Sequence, residues 1–313
     1  MRVFHNITEV KNIANPVVTI GTFDGVHIGH QTIFNKMKNM ADKVGGETVV
    51  ITFHPHPRQV LNIDRTNLKF ICTQEDKLKK FEELGIDNVI IIQFTKEFSR
   101  TPSETFIKEY IVDHLHPKIL VVGYDHHFGK NRIGDFGLLY SMEKRYGFKV
   151  ERIDVQDVEH IAISSTKVRN ALNNGNVRRA NSLLGYYYNI SGIVIHGNEI
   201  GRTLGFPTAN INIESEYMLI NNPGVYACLV EYNNKTYHGM ANIGRRPTVD
   251  KGDNDALITE VNIFEFDEDI YDKTIRVYFI DRIRDEEKFD DLDSLKAQLT
   301  KDKEQARELL DKI

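Results

Sequence analysis

The chain is long enough for two domains, and its charge balance argues against a nucleic-acid-binding protein. It has 313 residues, of which 41% are hydrophobic and 27% charged, and a net charge of −5. Chains longer than about 250–300 residues usually divide into two cores, and no basic stripe marks a nucleic-acid surface. The longest apolar runs, such as VIII at 89–92, are too short to span a membrane.

Short apolar strands alternate with amphipathic helices through the first half. The pattern predicts strands over 16–20, 48–53, 87–94 and 118–123, and helices over 28–43, 74–85, 103–115 and 137–147. Continuous β-branched strands between helices indicate a parallel sheet covered on both faces, in a doubly wound, Rossmann-like α/β domain. Ligands of such sheets bind beyond the carboxyl ends of the strands, so segments that follow strands are the candidate sites.

The second half has a different pattern. Residues 163–185 still look helical, but strands and turns dominate from residue 187 onward, which suits an antiparallel sheet or small β-barrel. The pattern predicts hairpins over 224–244 and 258–280 and a terminal helix over 293–310. We therefore expect a domain of residues 1–186 and another of residues 187–313.

Two histidines enter the first predicted helix directly after a strand. Residues 21–30 read GTFDGVHIGH, and a spacing of three puts His27 and His30 on one helix face. Gly21 and Gly25 permit a tight turn, and a helix N-terminus favours anions. Imidazoles there suit attack on a nucleotide α-phosphate with pyrophosphate leaving. Ordinary helix capping is an alternative, as is zinc binding, although the spacing is not i,i+4 and no cysteine cluster accompanies it.

A late hydroxyl-rich stretch, ISSTKVR, begins at residue 163. It offers three hydroxyl groups and two cations: Ser164, Ser165, Thr166, Lys167 and Arg169. Such a loop can close over a triphosphate. Taken alone, the stretch also reads as a plain helix start.

Two more segments follow predicted strands. TFHPHP carries His54 and His56 on a loop stiffened by prolines, and VGYDHHFG carries Asp125 and Phe128. Asp125 can bind a hydroxyl group or a magnesium ion, and Phe128 can stack on a ring. Turn-forming loops are the alternative interpretation of both segments.

The stretch GRTLGFPTANI in the β-rich half indicates a second phosphate site. Gly201 and Gly205 can expose backbone amides, while Thr208 and Asn210 supply the hard oxygens that Mg²⁺ prefers. Downstream, Glu260 can accept a proton from a primary alcohol that attacks a γ-phosphate. An ordinary surface glutamate is the alternative.

Several motifs in order resemble those of the bacterial bifunctional riboflavin kinase/FMN adenylyltransferase family, over nearly the whole length. They are GTFDGVHIGHQ, TFHPHP, VGYDHHFG, ISSTKVR, GRTLGFPTANI, GVYA, NIGRRPT and the stretch 260–284. The resemblance implies that the carboxyl-terminal half phosphorylates riboflavin to FMN with ATP. It implies that the amino-terminal half joins AMP to FMN, giving FAD and pyrophosphate. Mg²⁺, a cytoplasmic location, and a monomer or weak homo-oligomer without nucleic-acid or membrane partners complete this expectation.

The resemblance also assigns roles by motif position. The implied catalytic residues are His27, His30 and Glu260. The implied ATP and phosphate contacts are Gly21, Phe23, Asp24, Gly25, Ser164, Ser165, Thr166, Arg169, Gly201, Gly205, Thr208 and Asn210, with Thr208 and Asn210 also holding Mg²⁺. The implied flavin contacts are His56, Asp125, Phe128 and Arg284.

Three positions depart from the family pattern. Asp272 stands where glycine is common, Asn262 where histidine is common, and His54 where glutamate is common. Two other functions remain open at this point: another nucleotidyltransferase with a HIGH motif, and a non-catalytic regulator that binds flavin or nucleotide. The cysteines, Cys72 and Cys228, form no CxxC pair and favour a reducing compartment.

Overall fold

The computed structural model describes residues 1–63, 68–123, 128–130, 133–153, 163–197, 200–213, 215–245 and 257–313. Contacts divide the chain into two compact units, an amino-terminal unit of Met1–Ser164 and a carboxyl-terminal unit of Ser165–Ile313. Within the described stretches, no helix combines the length and the apolar character needed to cross a membrane.

A parallel sheet forms the centre of the amino-terminal unit. Its six strands are β1 Arg2–Phe4, β2 Val17–Ile20, β3 Thr48–His54, β4 Asn88–Gln93, β5 Ile119–Gly123 and β6 Lys149–Ile153. They pair in the order β1-β4-β3-β2-β5-β6, which confirms the predicted α/β sheet. The sequence analysis missed both edge strands, because β1 spans only three residues and β6 is largely polar.

Helices cover the sheet. They are α1 Ile28–Val44, α2 Pro57–Val60, α3 Gln74–Glu83, α4 Ser103–Thr105, α5 Asp113–Leu115 and α6 Phe136–Tyr146, with a π-helical segment Phe106–Val112 between α4 and α5. Successive strand residues point to opposite layers: Val18 and Ile51 join one buried cluster, and Val17 and Val50 join the other. The buried Thr19 on β2 donates to the Val121 carbonyl oxygen, so we expect ligand-binding groups beyond the strand ends.

The carboxyl-terminal unit is a closed antiparallel barrel with helices. Its strands are β7 Asn189–Ile195, β8 Ala209–Asn212, β9 Gly224–Tyr232, β10 Lys235–Arg245, β11 Leu257–Ile263 and β12 Thr274–Arg284, in the order β10-β11-β8-β7-β12-β9. Its helices are α7 Ser165–Asn173, α8 Val177–Leu184, α9 Ile200–Thr203 and α10 Leu292–Leu310. The predicted barrel and terminal helix are confirmed.

One of the two predicted hairpins is wrong. Strands β9 and β10 form the first hairpin, with Asn233 and Asn234 left-handed at φ 49° and 59°, as a tight hairpin turn requires. Strands β11 and β12 do not pair: β11 lies between β10 and β8, and β12 lies between β7 and β9. In the closed barrel each strand pairs with a neighbour on both edges, and the long connection 264–273 links β11 to β12.

Helices α7 and α8 belong to the carboxyl-terminal unit, although their sequence pattern resembles the preceding half. Asn181 on α8 donates to the Phe279 carbonyl oxygen at 2.9 Å and accepts from the Tyr188 amide at 2.7 Å. Arg178 forms an ion pair with Asp281 on β12. The compact units therefore divide after Ser164, whereas the boundary after residue 186 stays a prediction of where the two activities divide.

A buried ion pair attaches α10 to the barrel. The Arg284 guanidinium on β12 donates to both carboxylate oxygens of Asp302, at distances from 2.7 to 3.1 Å. Asp302 is 1% exposed and also accepts from Gln298 at 2.9 Å. Removing one partner of such a pair leaves an uncompensated buried charge.

We therefore expect Asp302→Ala to lower the free energy of unfolding by about 3–5 kcal/mol, because the Arg284 charge loses its partner. Urea unfolding followed by circular dichroism measures the change. Glu304→Ala on the exposed face of α10 is the matched control and should leave the transition in place. Equal transitions for both variants would contradict a role for this ion pair in stability.

Candidate functional site

His27 and His30 belong to the tetrapeptide His-Ile-Gly-His (residues 27–30), called the HIGH motif below. They follow the carboxyl end of β2, beside the point where the strand order reverses. β2 pairs with β3 on one side and with β5 on the other, which is where open α/β sheets bind ligands. Helix α1 begins at Ile28 with His27 as its N-cap residue. The His27 and His30 rings stack with their centroids 3.6 Å apart. Both imidazoles therefore flank the first turn of a helix, where backbone amides favour anions.

Neither alternative for the two histidines gains support. The His27 side chain makes no capping hydrogen bond to the described first turn of α1. In the described part of the chain, no group of three or more His, Cys, Asp or Glu side chains is arranged to hold a metal ion. The phosphate contact of His27 and His30 stays a prediction.

The loop between β2 and α1 has an unusual backbone. Phe23, Gly25 and Val26 are left-handed, with φ of 49°, 78° and 38°. A β-branched residue rarely adopts this conformation, and each such residue costs about 1–3 kcal/mol. A Cβ on Gly21 would lie 2.8 Å from the Phe23 ring. The buried Phe23 ring meets the His30 ring edge-on, with centroids 5.1 Å apart, so Phe23 supports the histidine, and its assigned ATP contact stays a prediction.

The segment that leads into α3 holds this loop. Asp24 is buried, and its carboxylate accepts from the Ile71 amide at 2.9 Å. The Gly25 amide donates to the Cys72 sulfur at 3.2 Å. Burial raises the pKa of Cys72 to about 12, so its sulfur is a neutral thiol at physiological pH. Asp24 thus serves as an anchor in this structure, and its assigned phosphate contact stays a prediction.

Lys77 on α3 completes the anchoring, and the sequence analysis missed it. Its ammonium donates to the Thr22 carbonyl oxygen at 3.1 Å and to the Thr52 hydroxyl at 3.3 Å. The residue is only 6% exposed. Its helix carries three lysines within four positions, which predicts a solvated face, and helical periodicity does not reveal which lysine faces the sheet.

Burial and positive charge lower the pKa values of two histidines here. Burial lowers the pKa of His30 well below its usual range, and His27 and Lys77 lower it further. Burial, together with Lys77, also lowers the pKa of His54. His30 is therefore a neutral imidazole at physiological pH, with one N–H available to donate.

Three predicted flavin contacts belong to this unit; two make other contacts in the structure, and the third lies outside the described residues. His56 is the N-cap of α2 and accepts from the Arg58 amide at 3.1 Å, with its ring 4.6 Å from Phe70. Phe128 is 7% exposed and belongs to the core. Asp125 lies outside the described residues. Flavin contact by these three residues stays a prediction.

The ISSTKVR stretch begins next to the HIGH motif. A Cβ on Gly29 would lie 3.7 Å from the Ile163 carbonyl oxygen, so Ser164 follows directly after this contact. Ser165, Thr166 and Arg169 lie in α7 of the carboxyl-terminal unit. The helix-start interpretation therefore fits these residues, and their phosphate contact stays a prediction.

Three polar side chains form a row on one face of the barrel. The strand register pairs Asn210 on β8 with Glu260 on β11, and Glu260 with Asn242 on β10. Directly opposed residues share a face, with Cβ atoms about 4.5–5.5 Å apart. The predicted base and a predicted metal ligand are therefore neighbours, and Asn242 joins them.

The loop before β8 is fixed against β11. The Asn262 side chain donates to the Pro207 carbonyl oxygen at 2.7 Å, directly before Thr208. A Cβ on Gly201 would overlap the Phe206 carbonyl oxygen, so only glycine fits this approach. Asn262, a departure from the family pattern, thus supplies a contact that positions Thr208.

The donor set suits magnesium. Thr208 and Asn210 offer neutral side-chain oxygens beside the Glu260 carboxylate, and Mg²⁺ usually combines few protein ligands with water and phosphate oxygens. A Cβ on Gly197 would overlap the Asn210 side-chain amide, so this close packing limits the orientation of the amide. These residues fit a magnesium ion that is also bound by phosphate.

Gly205 and Asp272 lie in turns, and Arg284 is the remaining predicted flavin contact. Gly205 and Asp272 are left-handed, with φ of 85° and 58°. Glycine adopts this conformation without strain, and aspartate tolerates it better than most residues. The Arg284 guanidinium binds Asp302, so it supports α10 in this structure, and its contact with flavin stays a prediction.

Comparisons with known proteins assign a separate family domain to each half of the chain. The sequence profile of FAD synthetase matches residues 9–167, and that of riboflavin kinase matches residues 184–310. The bifunctional riboflavin kinase/FMN adenylyltransferase of Listeria monocytogenes is 39% identical over 299 residues, covering 96% of this chain and 94% of its own. The Bacillus subtilis protein of the same name is 38% identical over 304 residues, covering 96% and 94%.

A solved structure covers the same length. A Streptococcus pneumoniae protein named macrolide-efflux protein superimposes with a TM-score of 0.87 and 33% identity, over 97% of this chain and 98% of that one. The two profiles and the nearly full-length relatives together identify the family. The chain belongs to the bifunctional riboflavin kinase/FMN adenylyltransferase family.

Proposed function

We propose that the chain converts riboflavin to FMN in its carboxyl-terminal unit and FMN to FAD in its amino-terminal unit, using ATP in both steps. The observation that supports this proposal is that each compact unit has its own group of polar side chains after or along its strands, the stacked His27 and His30 in one and the opposed Glu260 and Asn210 in the other. Both cysteines are unpaired, which supports a reducing, cytoplasmic location.

In the adenylyl transfer, an FMN phosphate oxygen attacks the ATP α-phosphorus, and the bond to the β-phosphate oxygen breaks. His27 and His30 would donate hydrogen bonds to the phosphate oxygens as negative charge builds up. The first-turn amides of α1 add a favourable potential at the same place. Because the pKa of His30 lies well below its usual range, His30 is neutral and keeps one N–H that can donate to a phosphate oxygen.

In the kinase reaction, Glu260 would accept the proton of the riboflavin 5′-hydroxyl as that oxygen attacks the γ-phosphorus. Thr208 and Asn210 would hold Mg²⁺, which when bound neutralises charge on the ATP phosphates. Asn262 keeps the Thr208 loop in register through its bond to Pro207. Proton acceptor and metal ligands then face the same space on the barrel.

For the amino-terminal site, we expect His27→Ala/His30→Ala to lower FAD formation from supplied FMN by about 10³-fold or more, since two phosphate-directed donors are lost. FMN formation from riboflavin should persist, because Glu260 lies in the other unit. Chromatography of the flavins measures both reactions. The exposed His114→Ala is the control, and equal loss of both activities with the fold intact would contradict two independent sites.

For the carboxyl-terminal site, we expect Glu260→Gln to lower FMN formation by about 10²–10⁴-fold, the usual contribution of a general base. FAD formation from supplied FMN should be unchanged. Initial rates with riboflavin or FMN as substrate separate the two effects. Glu268→Gln in the exposed connection 264–273 is the matched control, and an unchanged kinase rate in Glu260→Gln would exclude Glu260 as the base.

A further inference from the structure

A buried lysine beside a strained loop needs a physical reason. Lys77 is 6% exposed, and burying an ammonium group is costly unless it is paired or serves a function. Burial lowers the pKa of Lys77, whereas Cys72 and Asp24 oppose this shift. A leucine or methionine would fill this position on α3 without that cost. The charge itself is therefore the feature to explain.

The contacts of Lys77 connect two strand ends. Its ammonium reaches the Thr22 carbonyl oxygen, which follows β2, and the Thr52 hydroxyl near the end of β3. The Thr52 hydroxyl also lies 3.4 Å from the same carbonyl oxygen. Thr22 directly precedes the left-handed Phe23, so the lysine holds the loop at the start of its strained section.

We propose that Lys77 is a positioning residue for adenylyl transfer, which holds the loop of residues 21–27 through Thr22 and keeps a fixed positive charge beside the histidine pair. The inference rests on the proposed function of the amino-terminal unit. Lys77 does not touch the reacting atoms; it acts through the loop and through His30.

The charge has a measurable consequence at His30. The titratable groups around Lys77 and His30 are His27, Asp24, His54, Cys72 and Asp76. A neighbouring cation disfavours protonation of an imidazole. With Lys77 present, His30 remains neutral to lower pH. Without it, protonation of His30 begins at higher pH.

The test is Lys77→Met in the full chain, assayed for FAD formation from FMN and ATP across the pH range. We expect kcat/KM at neutral pH to fall by about 10- to 100-fold, as for a displaced catalytic loop. The acid limb of the pH profile should move to higher pH, because the cation that opposes His30 protonation is gone. FMN formation by the other unit should be unchanged.

Two further variants keep the test decisive. Lys79→Met removes an exposed lysine from the same helix and should match the wild type. Lys77→Arg keeps a cation, so it should keep the wild-type acid limb even if its rate falls. This variant is the one to assay if Lys77→Met does not fold. A wild-type rate for Lys77→Met, or a lower rate with an unmoved acid limb, would overturn the proposal. Absence of FAD formation in the wild-type chain would instead refute the proposed function.

Discussion

Burial of both faces of the parallel sheet constrains the rest of the amino-terminal unit. Most alternate side chains of β2, β3, β4 and β5 enter two separate apolar clusters, and the buried Thr19 and Thr52 hydroxyls within these strands donate to neighbouring backbone carbonyls. Catalytic groups have to follow the strands, and the segment after β2 carries the histidine pair at the point where the strand order reverses. A chain that turns from a buried strand into a helix within a few residues needs unusual backbone angles, and Phe23 and Val26 adopt them. The buried contacts of Asp24, Cys72 and Lys77 offset that strain.

The carboxyl-terminal unit places its polar groups by strand register. Barrel closure sets Asn210, Glu260 and Asn242 side by side on one face, so a base and a metal ligand come together from separate strands. On the same face, Met240 joins the apolar cluster that packs against α10. The ion pair of Arg284 with Asp302 attaches that helix to β12. Strand register in the barrel thus positions the polar side chains of this unit, whereas a strained turn positions those of the amino-terminal unit.

The parallel sheet and the turn before α1 could be predicted from the sequence, because hydrophobic periodicity and residue spacing indicate them. Continuous β-branched runs predicted the parallel sheet, and GTFDGVHIGH predicted a tight turn from a strand into a helix. The order of strands in the barrel could not be predicted, because the alternating pattern of β11 and β12 does not reveal their partners. The supporting roles of Phe23, Asp24 and Lys77 were also missed, since each depends on tertiary contacts that local pattern does not encode. Local pattern also does not reveal the left-handed φ of Asp272, a conformation that glycine and aspartate tolerate better than most residues.

The central claim is that one chain performs two successive reactions in two units. The most direct measurement is a time course of the purified chain with riboflavin, ATP and Mg²⁺, with the flavins separated by chromatography. We expect FMN to appear first and FAD to follow as FMN is consumed. FMN without FAD would contradict the role of the HIGH site, and no conversion of riboflavin or of supplied FMN would contradict the enzyme itself.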